Sequence, residues 1–120
     1  MSATDSVEIH PPIGDEICFG LETGWTVPSG YRFEFAPDGN LHILNPAGEQ
    51  VWRSETADSG ATRLCFQEGA LCLYSDQPDP VWSTNTEGHP GAFFAFQNDG
   101  NLVVYSAARE ALWATGTNGK

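Results

Sequence analysis

A hairpin motif occurs three times in this sequence at nearly constant spacing, and this repeat limits the folds open to the chain. Each copy has an acidic residue and a glycine at its tip, two apolar residues at alternate positions after the tip, and a tryptophan 14 residues after the acid. The three pairs of acid and tryptophan are Asp38 and Trp52, Glu68 and Trp82, and Asp99 and Trp113. An acidic residue before glycine, flanked by alternating apolar positions, predicts a β-hairpin. A unit of about 30 residues with one hairpin and one further strand cannot bury its apolar face alone, so the three units must pack together.

Outside the hairpin tips, the chain also has the pattern of an all-β protein. From Ile13 onward, short apolar runs alternate with Gly, Pro, Asn and Asp, with almost no helical period. The length of 120 residues fits one domain, so we expect a flexible polar leader over 1–12 and a single domain over 13–120. The expected repeats cover about 13–56, 57–86 and 87–117. They predict a closed arrangement of three small sheets with threefold pseudosymmetry and the three tryptophans near the common axis.

The third hairpin has an unusual polar face. Residues of a strand alternate between two faces, so Leu102 and Val104 share one face, which is wholly apolar. The opposite face holds Gln97, Asp99, Asn101, Val103 and Tyr105. Pyranose hydroxyls donate and accept hydrogen bonds, and carboxylate and amide groups complement them. The set therefore indicates a shallow saccharide site, although Asp-Gly-Asn by itself is also an ordinary turn sequence.

The spacing Gln-x-Asp-x-Asn-x-Val-x-Tyr resembles the mannose-binding signature of the bulb-type (monocot) mannose-binding lectins and matches it at all five positions. The resemblance covers about 13–117 and implies the β-prism II fold, with three four-stranded antiparallel sheets. It implies that Asp99 and Asn101 bind the axial 2-hydroxyl of terminal α-mannose. Gln97 would bind the 3-hydroxyl and Tyr105 the 4-hydroxyl, with Val103 against the ring carbons. Neither a metal nor a cofactor takes part in this scheme.

The other two units depart from the signature. The first keeps Asp38 and Asn40, but the remaining three positions hold Ala36, His42 and Leu44, which predicts a degenerate or altered site. At the same spacing the second unit has Phe66, Glu68, Ala70, Cys72 and Tyr74. This unit is expected to be structural. One complete site, in the third unit, is the resulting prediction.

The charge balance argues against two classes of partner. Sixteen acidic residues against five Lys and Arg give a formal net charge of -11. Nucleic acids and anionic membrane surfaces are bound through clustered basic residues, so neither is an expected partner. No apolar run approaches a membrane span, and no basic region followed by an apolar stretch opens the chain. We therefore expect a cytoplasmic protein, or one released without a signal peptide.

The three cysteines leave their pairing open. Cys65 and Cys72 would face each other if Glu68 and Gly69 form a two-residue loop, and would be separated if the hairpin is centred on Glu68. Cys18 is expected to be a buried small residue. The plant members of the resembled family carry a disulfide between the first unit's tip region and the second unit, and no cysteine near Asp38 supports it here. We find no zinc-ligand spacing.

Two classes of function are consistent with this sequence. The first is a binding module, a lectin for mannose or mannose-containing glycans. The alternative is a non-catalytic structural or protein-interaction domain on the same fold with a residual sugar site. An enzyme is not expected, because His10, His42 and His89 are scattered and none has the Ser, Cys and Asp neighbours of a triad. Bulb-type lectins often pair by exchanging C-terminal strands, and the segment around Trp113 resembles theirs, so a homodimer of this kind is a further prediction.

Overall fold

The computed structural model describes residues 6–120, which form twelve β-strands in three four-stranded antiparallel sheets. The strands are β1 (Val7–Ile9), β2 (Ile17–Gly20), β3 (Gly24–Thr26), β4 (Arg32–Phe35), β5 (Leu41–Leu44), β6 (Gln50–Arg53), β7 (Arg63–Gln67), β8 (Ala70–Tyr74), β9 (Pro80–Ser83), β10 (Phe93–Phe96), β11 (Leu102–Tyr105) and β12 (Ala111–Ala114). The first sheet has the order β3-β4-β5-β6, the second β2-β7-β8-β9 and the third β1-β10-β11-β12. Within residues 6–120 no helix is long and apolar enough to cross a membrane. The all-β class and the three four-stranded sheets are confirmed.

Each repeat supplies three consecutive strands, and the fourth strand of every sheet comes from the N-terminal region. β3 completes the first sheet, β2 the second and β1 the third. The expected leader over 1–12 is therefore wrong for Val7–Ile9, which pairs with β10; residues 1–5 of that leader lie outside the described part of the chain. All four residues of β10 are buried, so its outer edge needs a strand to pair its backbone groups. The expected boundary at residue 13 does not coincide with a boundary of the fold.

The apolar positions predicted from the repeat form the core. The pairs that follow the three tips are at most 1 % exposed; they are Leu41 and Ile43, Leu71 and Leu73, and Leu102 and Val104. Trp52, Trp82 and Trp113 meet one another with ring centroids 5.7–6.0 Å apart and steeply inclined planes, an edge-to-face arrangement that favours aromatic contact. The predicted meeting of the three tryptophans is confirmed. It joins the three sheets at one point.

The hairpin loops differ in length between repeats. In the third repeat Gln97 lies opposite Asn101, and the loop has three residues ending in Gly100, whose φ of 92° belongs to the left-handed region. A Cβ on Gly100 would also collide with the ring of Tyr31. In the second repeat Gln67 pairs directly with Ala70, so its loop has two residues, both with positive φ. The second loop is therefore one residue shorter, and the strand before it is shifted by one position.

The C-terminal strand lies in its own sheet. β12 pairs with β11 of the same chain, with Trp113 opposite Val104. Exchange of this strand between two copies stays a prediction.

Candidate functional site

The five signature residues lie on the hairpin of β10 and β11 in the third sheet. They are Gln97, Asp99, Asn101, Val103 and Tyr105. The backbone N–H of Gln97 donates to the carbonyl of Asn101 over 2.8 Å, and Val103 pairs with Ala95. Because residues directly opposite each other project to the same face of a sheet, the four strand positions share one face, with Asp99 at its tip. The structure thus brings all five predicted residues together.

Gln97 and Tyr105 meet over the middle of this face. Nε2 of Gln97 donates a hydrogen bond to the phenol oxygen of Tyr105. Val103 lies between them in the strand register and is only 3 % exposed. The polar groups therefore form a continuous surface of donors and acceptors, while little of Val103 is open to the ring carbons of a ligand.

Asn101 is anchored through its side-chain oxygen. Oδ1 accepts hydrogen bonds from the hydroxyl of Thr115 over 3.1 Å, from N–H of Gly116 over 2.9 Å and from N–H of Thr117 over 3.3 Å. The Nδ2 atom has no hydrogen-bond partner among residues 6–120. A side chain fixed through its acceptor thus keeps its two N–H groups for another molecule.

Asp99 stands at the exposed tip. Its Oδ1 accepts a hydrogen bond from N–H of Asn101 over 3.0 Å, which is the usual bond of an Asx turn. Its backbone carbonyl accepts from N–H of Gly119 over 2.8 Å. The C-terminal tail therefore closes against both Asp99 and Asn101 and fixes the side of the site next to the tip.

An aromatic column supports the opposite end of the site. Phe93 stacks on Tyr105 with ring centroids 5.2 Å apart, and His10 stacks on Phe93 at 4.2 Å. The guanidinium of Arg109 lies 4.9 Å from the centre of the Phe93 ring. These rings restrict the orientation of the Tyr105 phenol. His10 was not predicted at this site, because the strand β1 that positions it has too short a pattern to be recognised in the sequence.

Glu8 of β1 contacts both His10 and Arg109 of this column. Its Oε1 lies 2.8 Å from Nε2 of His10 and 3.6 Å from the guanidinium of Arg109. The hydrogen bond with His10, with a smaller contribution from Arg109, lowers the pKa of the Glu8 carboxyl below its ordinary value. The N-terminal strand therefore contributes a charged border to the site on the third sheet.

The first repeat uses its asparagine in the same structural way. Oδ1 of Asn40 accepts from the hydroxyl of Ser54 over 3.0 Å and from N–H of Thr56 over 3.1 Å, and Asn40 is 5 % exposed. Ala36 and Leu44 stand at the positions of Gln97 and Tyr105 and offer no polar side-chain atoms. The hydrogen bonds that Asn40 accepts from Ser54 and Thr56 explain its presence without a sugar-binding role.

The second repeat retains more of the polar set than predicted. The shorter loop places Gln67, not Phe66, opposite Ala70 and hence at the position of Gln97. Phe66 is fully buried in the core. Tyr74 stands at the position of Tyr105, while Ala70 replaces the anchoring asparagine. The assignment of Phe66 to the signature face is therefore wrong.

A concave surface lies over this face of the second sheet. The cavity has a volume of about 300 Å³ and is lined by Gln67, Ala70, Cys72, Tyr74, Asn85 and Glu87, together with Glu16, Cys65, Pro80 and Ser83. Burial, followed by the effects of the neighbouring Cys72, raises the pKa of the Tyr74 phenol above its ordinary value. The cavity thus lies where Ala70 replaces the anchoring asparagine.

The cysteines pair differently from the predicted options. Cys18 forms a disulfide with Cys65, and Cys72 is free. The two-residue loop does bring Cys65 and Cys72 opposite each other, but Cys18 on β2 lies opposite Cys65 from the other side. Cys18 is exposed rather than buried. Within 6–120, Glu16 joins Cys18 and Cys65 in the one group of three potential metal ligands, but two of its donors are bonded to each other.

Solved structures share this architecture. A Marasmius oreades lectin has a TM-score of 0.75 and 28 % sequence identity, over 92 % of this chain and 91 % of that one. A monomeric monocot mannose-binding lectin from Gastrodia elata has a TM-score of 0.73 and 27 % identity, over 95 % and 98 % of the two chains. The mannose-specific bulb lectin of Scilla campanulata has a TM-score of 0.69 and 25 % identity, over 94 % and 98 %. The chain is therefore similar in fold to the bulb-type lectins over nearly its whole length.

The relationship rests on structure rather than on sequence matching. No family model and no curated protein sequence matches the chain. All three of these proteins are lectins, which agrees with the expectation of a non-enzymatic protein. The β-prism II fold predicted from the resemblance is that of these lectins.

Proposed function

We propose that this protein is a metal-independent lectin that binds terminal α-mannose through one complete site on the third sheet. The observation that carries the proposal is the placement of Gln97, Asp99, Asn101 and Tyr105 on one surface, with Asn101 anchored through its oxygen. The Gastrodia elata and Scilla campanulata relatives are mannose-binding lectins, which supports the same ligand class. Mannose is neutral, so the net charge of -11 does not oppose its binding.

The available atoms suit the axial 2-hydroxyl that distinguishes mannose from glucose. Nδ2 of Asn101 donates, and the Asp99 carboxylate accepts, so the pair can complete the hydrogen bonds of one hydroxyl that both accepts and donates. An equatorial 2-hydroxyl leaves these groups without a partner. Each unsatisfied polar group costs about 1–3 kcal/mol, which is enough for selectivity between the two sugars.

The other end of the site suits two neighbouring hydroxyls. Gln97 and Tyr105 are hydrogen-bonded to each other, so their polar atoms are close enough to bind adjacent hydroxyls of one ring. The 3- and 4-hydroxyls of mannose are such a pair. The stack of Tyr105 on Phe93 limits the movement of the phenol and lowers the entropy lost on binding.

A titration followed by NMR tests this function. Methyl α-mannoside and methyl α-glucoside are added separately to the full chain and backbone amide shifts are followed. We expect shifts confined to residues 97–105 and 115–119, with mannoside bound more tightly than glucoside. Shifts centred outside the third sheet would contradict this site, and no response from a folded protein would favour the interaction-domain alternative.

We also propose that two copies pair through their C-terminal strands. One shallow site binds weakly, and a dimer would add avidity for glycans with several mannose ends. Sedimentation at rising protein concentration tests this, and a monomer at every concentration would exclude pairing.

A further inference from the structure

Three cysteines lie in one row across neighbouring strands of the second sheet. Cys18 on β2 is directly opposite Cys65 on β7, and Cys65 is directly opposite Cys72 on β8. Residues in register project to the same face, so the three side chains stand side by side with Cys65 in the middle. Cys18 and Cys65 form the disulfide, and Cys72 has the free thiol.

We propose that this row is an internal thiol–disulfide exchange site, in which Cys72 and Cys18 compete for a bond to Cys65. The Cys72 thiolate attacks Sγ of Cys65 and forms a Cys65–Cys72 bond. The Cys18–Cys65 bond breaks and its electron pair leaves with Cys18 as a thiolate, which takes up the proton lost from Cys72. One disulfide and one thiol are present before and after the step, so no oxidant or reductant is needed.

The order of the strands favours this reaction. Exchange at sulfur requires the attacking thiolate, the attacked sulfur and the leaving sulfur to lie close to a line. The order β2-β7-β8 places the cysteines in this sequence. The same row is unsuited to a single metal ion, because the outer cysteines are separated by two strand spacings, about 10 Å.

Both disulfides are compatible with the sheet. Opposite residues of an antiparallel pair have Cα atoms about 4.5 or 5.5 Å apart, and disulfides span either distance. Cys18 and Cys65, with Cα atoms 4.0 Å apart, are a closely spaced pair, so Cys65 and Cys72 form the wider type. We expect the Cys18–Cys65 bond to be the major form and the Cys65–Cys72 bond to be the minor form.

Access to the three sulfurs supports exchange within the molecule. Cys65 is 2 % exposed, so an external thiol reaches it poorly, whereas Cys72 is already beside it. Cys65 and Cys72 both line the cavity, where the other titratable groups are Glu16, Tyr74 and Glu87. Exchange would move the reactive thiol from this cavity to the exposed Cys18 on the edge strand β2.

Peptide mapping of the full chain tests the proposal. The protein is incubated without reductant at about pH 8.5, where an ordinary thiol is half ionised, then quenched in acid and labelled with N-ethylmaleimide. Cleavage after glutamate separates the cysteines into peptides 17–22, 56–68 and 69–87. We expect label on 17–22 to rise several-fold with time, together with a bond between 56–68 and 69–87, at a rate independent of protein concentration. Label confined to 69–87 at every time would overturn the proposal.

Two variants complete the test. In Cys72→Ser, label should never appear on 17–22. In Cys18→Ser, treatment with oxidised glutathione should form the Cys65–Cys72 bond. If Cys18→Ser retains its circular dichroism spectrum but forms no such bond, the proposed geometry of attack is wrong. A rate that rises with protein concentration would also overturn the proposal, because exchange would then occur between molecules.

Discussion

The Thr115 hydroxyl and the side-chain oxygen of Asn101 lie 3.1 Å apart, and this hydrogen bond joins the third hairpin tip to the C-terminal tail. The oxygen also accepts from the N–H groups of Gly116 and Thr117. The residue that the signature assigns to sugar binding is thus also a loop anchor. Truncation of Asn101 to alanine would remove both roles at once.

Asn101→Asp separates these roles. A carboxylate keeps an acceptor for the tail but has no N–H for a sugar hydroxyl. We expect mannoside affinity to fall about tenfold, the effect of losing roughly 1.4 kcal/mol. Titration calorimetry measures the affinity, and urea unfolding measures the stability.

Asn40→Asp is the matched control for that substitution. It places the same new charge beside Asp38 that Asn101→Asp places beside Asp99, and because Asn40 is the more buried residue, its loss of stability should be at least as large. Only Asn101→Asp should lose affinity. Equal affinity in both variants would exclude a sugar contact at Asn101.

Tyr105→Phe tests the other end of the site. The substitution removes only the hydroxyl that Gln97 contacts and keeps the stack on Phe93. We expect mannoside affinity to fall about fivefold, corresponding to about 1 kcal/mol for one hydrogen bond, with little change in stability. Tyr74→Phe changes the equivalent position of the second sheet and should leave affinity unchanged. An effect of the same size from both variants would contradict a single site.

The core could be predicted from sequence because it depends on local alternation. The pair Leu102 and Val104 and its two counterparts follow directly from the period of a strand, and the constant position of the tryptophans places them on a common axis. The fourth strands could not be predicted in this way. A three-residue strand such as Val7–Ile9 has too little pattern of its own, and it is ordered by the unpaired edge of β10.

The errors at the second repeat have two different causes. The disulfide depends on which strand lies beside β7, and no local feature of the sequence specifies that β2 does. The loop length, in contrast, has a signal in the sequence. Phe35, Phe66 and Phe96 all lie in the core, and aligning these residues instead of the acidic tips places Gln67 at the position of Gln97.

The contacts of Glu8 with His10 and Arg109 predict a pH-dependent contribution to stability. The folded protein holds the pKa of Glu8 below its ordinary value of 4.5, so the ionised form favours the folded state. This contribution is complete above about pH 4.5 and is lost as the pH falls through the lower pKa of the folded state. Glu8→Gln should therefore be less stable than the wild type at pH 6, with the difference shrinking in more acid solution.

Urea unfolding at a series of pH values measures this difference. Glu110→Gln, which changes an exposed glutamate next to β12, is the control and should show no such trend. A difference between Glu8→Gln and wild type that stays constant with pH would show that the hydrogen bond to His10 does not depend on the charge of Glu8.

The second hairpin lacks the anchoring asparagine but keeps the groups around it. N–H of Leu71 donates to the Thr84 hydroxyl over 3.1 Å, as N–H of Leu102 does to Thr115. Ala70 borders the cavity, so an asparagine side chain has room there. In Ala70→Asn we expect the new side-chain oxygen to accept hydrogen bonds from the segment after β9, which contains Thr84. The free energy of unfolding should rise by about 1 kcal/mol.

Asn40→Ala is the converse of that change. It leaves the Ser54 hydroxyl and N–H of Thr56 without their acceptor in a buried site, so it should lower the free energy of unfolding by about 1–3 kcal/mol. Urea unfolding of both variants tests whether the asparagine side-chain oxygen stabilises the contact between the hairpin tip and the segment that follows the last strand of the repeat. If Ala70→Asn destabilised the protein while Asn40→Ala had no effect, the anchor would be a consequence of the fold and not one of its supports.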